Sequence, residues 1–522
     1  MSSGTGGGSG TGGSGGAAGA AAPAAEQVRI EPAGAGFVGT QMVTLQPPRA
    51  GAVIHYTIDG TIPSRSSPIY MAPFVLRETA VVRAFAEGVP GADLPINAAV
   101  FVRLEEAASG FSSNLPVLVL HTQQSGALSI PEAPMVNASA SLFEPRNGKT
   151  ALAGPTTFNA RIGMRVHGKS SRMFPQKSYA FELRQPGADE DDDTRGLLGL
   201  PADADFILVA PSQMDRSLVR TALAFSLSNE IGQYAARTRF IEVFLTEKAA
   251  APVAARDYVG VYVLVEKIKR GTERVRVERV AADATTAPAV TGGYVFRVDH
   301  DVNDFNVAGT NFGFVYPESE EFLGANRKAQ RTYLQNYVQE FSDSLGQADF
   351  KNPKTGLHYS KYIDVPSFID NNLLNALFKN VDAFRFSSYF HKDRDGLMKA
   401  GPLWDVDRSS GTPYDDRERS LRPDEWSRMD AANPLTYGWW GRLFADPGFK
   451  AAHAKRFSDL SKGAFSVARI HALIDKLAGE LREAQVRHFA RWTELPAMGG
   501  HEGEIRVLKT WFGARVPWMA SQ

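Results

Sequence analysis

The 522-residue chain contains no cysteine. This absence excludes disulfide bonds, thiolate zinc sites and a cysteine nucleophile, and it leaves the redox compartment undetermined. The chain also lacks an excess of either charge, because 57 lysine and arginine residues balance 57 aspartate and glutamate residues. No global electrostatic field therefore draws the protein to nucleic acid or to an anionic membrane.

Long apolar runs and targeting signals are missing as well. The sequence has no run of about 18 apolar residues, so we expect no membrane span. Its first residues include neither a basic region nor an apolar core, so no signal peptide is visible. Residues 1–27 consist mainly of Gly, Ser, Thr and Ala, which cannot bury enough apolar surface to fold. We predict that they form a disordered, flexible tether.

Residues 28–105 have the pattern of short β-strands. IHYTIDG alternates and ends in the turn-forming pair Asp59 and Gly60, and PFVLRE and AVVRAFAEG follow after polar breaks. This pattern predicts a small all-β sandwich. The string HYTIDGTIPSRSSPIYMAPFVLRETAVVRAFA resembles the chitobiase/β-hexosaminidase C-terminal domain, which implies an immunoglobulin-like accessory module. Binding of cell-wall polysaccharide and a purely structural spacer remain alternatives for this module.

From residue 115 to residue 522, strands come first and helices follow. Two strands, Arg161–His167 and Lys177–Arg184, are predicted on either side of a turn rich in glycine and serine. The five consecutive acids Asp189–Asp193 are typical of a solvated loop. After Gly411 the chain is mostly helical in pattern. This order predicts an α+β domain with two lobes.

The stretch from Asn380 to Gly411 concentrates acidic residues. Asp382 follows an apolar helical run, whereas Asp405 and Asp407 lie in WDVDRSSG. The intervening residues predict strand, turn and strand, and in an extended WDVD the two aspartates would share one face. Such carboxylates suit Mg²⁺, which commonly takes one or two carboxylates plus substrate phosphates. An edge strand with a salt bridge is the alternative.

Eight segments occur in order from residue 165 onward: RVHGKSSRMFPQKSYAFEL, MDRSLVRTALA, RFIEVFL, YVGVYVLVEKI, GGYVFRVD, NVDAF, GPLWDVDRSSG and IRVLKTWFGARVPWM. Together they resemble the spore-coat protein H (CotH) kinase family. That family has an atypical protein-kinase-like fold and uses ATP and a divalent metal to phosphorylate protein hydroxyls, chiefly serine. The resemblance implies ATP and Mg²⁺ or Mn²⁺ as cofactors and a protein substrate with serine hydroxyls. A chitobiase-like module before such a domain is similar to bacterial surface proteins, so we expect export or cell-surface association.

The resemblance also implies roles for single residues. Lys177 resembles the lysine that binds the nucleotide phosphates, with Glu266 as its partner in the small lobe. Asp382 resembles the catalytic-loop aspartate. Asp405 resembles the metal-binding aspartate, and Asp407 is a candidate second ligand. The turn that would cover the phosphates contributes Arg165, Ser170, Ser171 and Arg172.

Two departures from the family pattern concern the site. No G-x-G-x-x-G precedes Lys177, and Ser387 stands five positions after Asp382, where asparagine is expected as a metal ligand. Serine supplies a neutral and weaker oxygen, so a second metal site would be weakened. Two other function classes therefore stay open: a kinase-like surface-binding protein without activity, and a carbohydrate-active enzyme that uses paired acids.

Overall fold

The structure is a computed structural model. It describes residues 26–88, 93–122, 129–169, 171–211, 214–415 and 418–522. Nearly all of the predicted tether, together with Ser170, lies outside the described residues. None of the described helices is long and apolar enough to cross a membrane.

The described strands and helices fall into three successive groups along the chain. The first group comprises β1 Arg29–Glu31, β2 Ala35–Phe37, β3 Gln41–Gln46, β4 Ile54–Thr57, β5 Phe74–Leu76, β6 Ala80–Ala86 and β7 Asn97–Arg103. The second comprises α1 Glu106–Ser109, β8 Ser112–Ser113, β9 Val117–Thr122, β10 Val136–Phe143, β11 Thr150–Ala151, β12 Gly154–Pro155, β13 Phe158–His167, β14 Ser178–Arg184, β15 Arg195–Leu197, β16 Leu200–Asp203, β17 Asp205–Val209, α2 Arg220–Glu230, β18 Thr238–Thr246 and β19 Tyr258–Glu266. The third comprises β20 Tyr294–Val298, β21 Phe305–Val307, β22 Thr310–Tyr316, α3 Ser319–Leu323, α4 Lys328–Gly346, α5 Val365–Phe378, β23 Ser388–Lys392, β24 Met398–Ala400, α6 Trp439–Leu443, α7 Pro447–Ser461, α8 Val467–Glu480, α9 Ala484–Arg491 and α10 Gly500–Ala520.

The N-terminal region is all-β up to β7, as the alternating pattern predicted. Strands β1, β3 and β5 form one sheet, and β2, β7, β6 and β4 belong to a second. Apolar side chains from the two sheets, among them Val43 and Phe101, pack into one buried cluster. Burial of this cluster is the main term that stabilises the region.

The N-terminal region shares its second sheet with the rest of the chain. β12 pairs with β2, so that Gly154 lies opposite Gly36. Gly36 is required here because a Cβ atom would lie 1.9 Å from the carbonyl oxygen of Leu152. Thr79 Oγ1 also donates to the carbonyl of Ala251 at 2.9 Å. The sequence modules therefore contact each other through backbone pairing as well as side chains, and the boundaries 28–105 and 115–522 stay predictions.

A closed barrel of seven strands follows, where the sequence predicted only a small lobe. Its order is β10-β13-β14-β17-β19-β18-β9, and antiparallel pairing of β9 with β10 closes it. Neighbouring strands are antiparallel except β18 and β9, which are parallel. Every strand contributes to one buried cluster, with Leu118, Ala138, Ile162, Phe181, Phe206, Ile241 and Tyr262 as representatives.

A second sheet connects the barrel to the helices. Its order is β21-β22-β20-β23-β24. One face packs on the helices, where Phe390 lies 6.0 Å from Phe368 of α5 between ring centroids. Val295 and Tyr389 on the opposite face cluster with Ile268, which follows β19 of the barrel. The sheet end between barrel and helices is where the candidate site lies.

The acidic run Asp189–Asp193 is not the freely solvated loop that its composition predicted. Asp189 Oδ1 lies 3.2 Å from Arg83 Nη1 and 2.6 Å from Arg161 Nη2. Arg83 is 0% exposed and Arg161 is 2% exposed at the side chain. Burial and the neighbouring charge of Arg161 lower the pKa of Arg83 to about 10. One acid of the run thus compensates two buried guanidinium groups.

We expect Asp189→Asn to lower the free energy of unfolding by roughly 3 kcal/mol, because it leaves two buried cations without their carboxylate. Urea denaturation measures the change. The exposed Asp191 supplies a matched control in the same run, and Asp191→Asn should change stability by less than about 0.5 kcal/mol. Equal effects of the two substitutions would contradict the role of Asp189.

Stability should also depend on pH through His453 of α7. The ring is buried and shares a hydrogen bond of 3.0 Å with Asn372 Oδ1. Burial lowers the pKa of His453 to about 4, below the unfolded value of about 6.5. Because the unfolded chain then binds the extra proton, this contribution to stability is lost as pH falls from 6.5 toward 4.

We expect the stability difference between wild type and His453→Gln to shrink by roughly 2 kcal/mol between pH 7 and pH 5, at about 1.4 kcal/mol per pH unit. Denaturation curves at the two pH values measure it. Glutamine retains a hydrogen-bond donor for Asn372 but does not titrate. A difference that stays constant with pH would show that His453 does not titrate in this range.

Candidate active site

Strand register brings an acid and a hydroxyl group together at the end of the second sheet. β20 pairs antiparallel with β23, and Val298 lies opposite Ser388. Asp299 and Ser387 extend these strands by one residue each, so they meet where the pairing ends. The β23–β24 hairpin then returns the chain toward residue 401. The predicted order of strand, turn and strand is confirmed.

The WDVD segment differs from its predicted conformation. Asp405 has a φ of 57°, in the left-handed region, so the prediction of an extended segment is wrong. Trp404 stacks on Phe225 with ring centroids 5.7 Å apart, and Val406 is fully buried. These contacts fix the backbone on both sides, while Asp405 itself is exposed. Aspartate is one of the few residues that tolerate the left-handed region well.

The carboxylates of this segment lie close to other negative charges. The pKa of Asp405 is well above its usual value because surrounding atoms displace water and because Asp407 and Asp382 repel its charge. Burial and the charge of Asp382 raise the pKa of Asp407 to about 6. Solvent still reaches Asp405. The repulsion between like charges is one cause of its raised pKa, and a bound cation would offset that repulsion.

Direct contacts join the predicted residues. Ser387 Oγ donates a hydrogen bond of 3.0 Å to Asp405 Oδ2. Arg408 Nη1 lies 3.5 Å from Asp382 Oδ2. The structure therefore brings Asp382, Ser387, Asp405 and Asp407 into one group, although their roles stay predictions.

Several residues around this group adopt strained backbone conformations. Phe384, Ser387, Asp405 and Ser410 have φ values of 68°, 48°, 57° and 50°. Such conformations cost on the order of 1 kcal/mol or more for residues other than glycine. They persist where packing holds them, and they concentrate at ligand-binding and catalytic sites.

A buried ion pair supports the loop that carries these aspartates. Arg220 Nη1 donates to Asp215 Oδ1 at 2.7 Å, and both side chains are at most 3% exposed. Arg220 Nε also donates to the carbonyl of Ser409 at 3.0 Å, and Nη2 to that of Ser410 at 3.4 Å. The pair lies in MDRSLVR, the segment that leads into α2. α2 begins at Arg220.

The turn between β13 and β14 was expected to cover phosphates. Ser171–Met173 forms a single 3-10 turn there. Arg172 pairs with the carboxylate of Glu132. Arg165 Nη1 donates to the backbone carbonyl of Glu132 at 3.4 Å. These contacts fix one side of the turn.

The opposite side of the turn contacts the loop that follows β20. Lys169 pairs with Asp301, which lies two residues after Asp299. One cation of the turn therefore lies near the end of the strand that leads to Asp299.

The expected ion pair between Lys177 and Glu266 is wrong. Lys177 Nζ donates to the carbonyls of Arg172 at 2.7 Å and Phe174 at 2.9 Å. Glu266 is fully buried and accepts hydrogen bonds from the backbone nitrogen and Nη1 of Arg237 at 2.7 and 2.8 Å. Its carboxylate is thus engaged with Arg237 inside the protein.

Barrel register explains why the two residues are apart. Phe181 of β14 lies opposite Phe206 of β17, which in turn lies opposite Glu266 of β19. Lys177 precedes Phe181 by four residues, or roughly 13 Å along an extended strand. The sequence indicates that Lys177 and Glu266 both lie at strand ends, but it does not show at which end of the barrel each residue lies.

Sequence reasoning missed three residues of the site. Asp299 contributes to the raised pKa of Asp405, and its only signal was an acid directly after a buried strand. Arg297 lies two residues before Asp299 and therefore on the same face of the sheet. Burial, together with the charges of Arg165, Arg297 and Lys267, lowers the pKa of His167 to about 4. His167 is therefore neutral at pH 7, and it lies near basic residues as well as near Asp299.

The donor set fits a metal that arrives with phosphate better than a metal held by protein alone. Among the described residues, no three His, Asp or Glu side chains form a ready metal-binding group. Mg²⁺ needs only one or two carboxylates when waters and phosphate oxygens complete its shell. Asp405 and Asp407 meet that requirement, and the repulsion between them provides a reason to bind a cation.

Two stretches of the chain match known families. Residues 32–93 match the chitobiase/beta-hexosaminidase C-terminal domain. A comparison with curated proteins finds no match. Residues 164–519, more than half of the chain, match the CotH kinase protein family. They include the barrel strands from β14 onward, the second sheet and the group around Asp405, and the chain belongs to the CotH kinase protein family.

Proposed function

We propose that the protein is a metal-dependent protein kinase that transfers the γ-phosphate of ATP to serine hydroxyls. The observation that carries this proposal is the group of Asp382, Asp405 and Asp407, in which the pKa of Asp407 is raised to about 6 by burial and neighbouring acids. Lys169 of the β13–β14 turn pairs with Asp301, two residues after Asp299. Phosphoryl transfer requires positioning and charge neutralisation more than covalent help from the protein.

Asp405 and Asp407 would hold Mg²⁺ or Mn²⁺. The bound metal would neutralise charge on the phosphate oxygens during transfer. Ser387 offers one neutral oxygen beside Asp405, from which it is 3.0 Å away. A single firmly held ion is therefore expected, with a second ion bound weakly if at all.

Asp382 would act on the substrate hydroxyl. As the serine oxygen attacks the γ-phosphorus, the bond to the β–γ bridging oxygen breaks and ADP leaves. The hydroxyl proton passes to the Asp382 carboxylate. Arg408, 3.5 Å from Asp382, orients that carboxylate without occupying both of its oxygens.

We place the substrate among proteins of a bacterial surface or coat. The support is the chitobiase-like domain at residues 32–93, ahead of the kinase family match. Backbone pairing of β12 with β2 holds this module against the kinase region. A module fixed in this way can keep the kinase next to a polysaccharide-rich layer.

Incubation with γ-labelled ATP and Mg²⁺ tests the proposed function. We expect label on serine, detected by phosphoamino-acid analysis, and at least about 100-fold less label with Asp382→Asn. Omission of the divalent ion should abolish the signal. Nucleotide binding without transfer would favour the alternative of an inactive, surface-binding kinase-like protein, and absence of both would refute the kinase proposal.

A further inference from the structure

Arg297 points into the site from the second sheet. It lies on β20 opposite Tyr389 of β23, on the face that packs toward the barrel rather than toward the helices. Its side chain is 38% exposed, so a ligand can reach it. Its contacts are long for an arginine, with Nη1 at 3.3 Å from Tyr389 Oη and 3.5 Å from Asp299 Oδ2.

The guanidinium retains unused hydrogen-bonding capacity. Within the described part of the chain, the buried Nε of Arg297 has no hydrogen-bond partner. A buried donor without a partner costs free energy, so its present contacts do not satisfy the guanidinium of Arg297. The planar guanidinium can donate two parallel hydrogen bonds to a phosphate group.

Lys177, by contrast, is already engaged. Its Nζ donates to the carbonyls of Arg172 and Phe174 at 2.7 and 2.9 Å. These bonds close the β13–β14 turn on itself. Two of the three donors of its amine are therefore used within the turn, and only one is left for a phosphate.

The neighbours of Arg297 suit a phosphate. The charges of Arg297 and Arg165 both act on the neutral ring of His167. Asp299, 3.5 Å from Arg297, also acts on Asp405. Arg297 thus lies between the basic turn and the proposed metal ligands, where the phosphates of a metal-bound nucleotide would lie.

We propose that Arg297, rather than Lys177, is the cation that binds the nucleotide phosphates in this protein. This inference rests on the proposed function. Lys177 then shapes the turn through its carbonyl contacts. Asp299 holds Arg297 in place before the nucleotide arrives.

Calorimetric titration of the whole chain with Mg²⁺-ATP, and separately with adenosine, tests the assignment. Arg297→Met should lower the affinity for Mg²⁺-ATP at least tenfold and leave the affinity for adenosine within twofold. A general structural defect would weaken both ligands alike. Arg297→Lys should retain part of the affinity, because it keeps the charge but loses the paired donors.

Two further variants complete the experiment. Lys177→Met should lower the melting temperature and weaken Mg²⁺-ATP binding less than Arg297→Met does. Lys450, an exposed residue of α7, provides a control for loss of one positive charge, and Lys450→Met should bind as wild type does. Unchanged Mg²⁺-ATP affinity in Arg297→Met would overturn the assignment. Wild type that binds neither ligand would instead refute the proposed function itself.

Discussion

Asp405→Asn is expected to abolish the thermal stabilisation of the protein by Mg²⁺-ATP. The substitution removes the carboxylate whose raised pKa reflects loss of water and repulsion by Asp407 and Asp382. In wild type, ligand at 100 times its dissociation constant should stabilise the native state by about 2.7 kcal/mol. Without the carboxylate, the metal ion would lose a ligand, and the nucleotide would lose the metal ion that connects its phosphates to the protein. Differential scanning calorimetry with and without Mg²⁺-ATP measures the effect.

The ligand-free variant provides the second half of this prediction. Because one of several like charges is removed, the melting temperature of Asp405→Asn should equal or slightly exceed that of wild type. A structural role for Asp405 predicts the reverse: a lower melting temperature and a retained response to Mg²⁺-ATP. Asp475→Asn, which alters an acid exposed on α8, is the control for loss of one negative charge.

Ser387→Asn extends the same test. Asparagine offers a stronger oxygen ligand than the serine hydroxyl that now donates to Asp405. If serine weakens a second metal site, the Mg²⁺-dependent shift should increase in this variant. No increase would mean that the second site depends on other residues.

Arg220→Met should lower the free energy of unfolding by about 3–5 kcal/mol, the range for removal of one partner from a buried ion pair. Asp215 would remain as a buried carboxylate without its partner at 2.7 Å. The carbonyls of Ser409 and Ser410 would also lose their donors. Urea denaturation measures the loss, and Mg²⁺-ATP stabilisation should weaken because the loop of Asp405 and Asp407 loses its support.

An exposed ion pair of the neighbouring helices provides the comparison. Arg469 of α8 pairs with Glu230 of α2 at 2.8 Å, with side chains 48% and 31% exposed. Arg469→Met should therefore lower the free energy of unfolding far less than Arg220→Met does. If Arg220→Met costs no more than Arg469→Met, the buried pair does not support the site.

Elements with strong periodicity were predictable, whereas closure of the barrel was not. β13, β14 and the β23–β24 hairpin lie where alternation and turn residues placed them. The barrel closes only because β9 pairs with both β10 and β18. β18 follows β9 by more than a hundred residues, and no local pattern encodes such a distant pairing.

The site was predictable by residue type but not by geometry. Asp382, Asp405 and Asp407 were identified from motifs, and they do lie together. The left-handed conformation of Asp405 follows from the tertiary anchors of Trp404 and Val406, which an alternating pattern cannot show. Lys177 and Glu266 were paired by analogy, yet strand register separates them.

The most direct test of the account is the position of a bound ion. Crystals grown with Mn²⁺ and a non-hydrolysable ATP analogue would show the metal by its anomalous scattering. The account predicts one strong peak coordinated by carboxylate oxygens of Asp405 and Asp407 and by the analogue's phosphates. A nucleotide bound elsewhere, or a metal peak away from these two carboxylates, would contradict it.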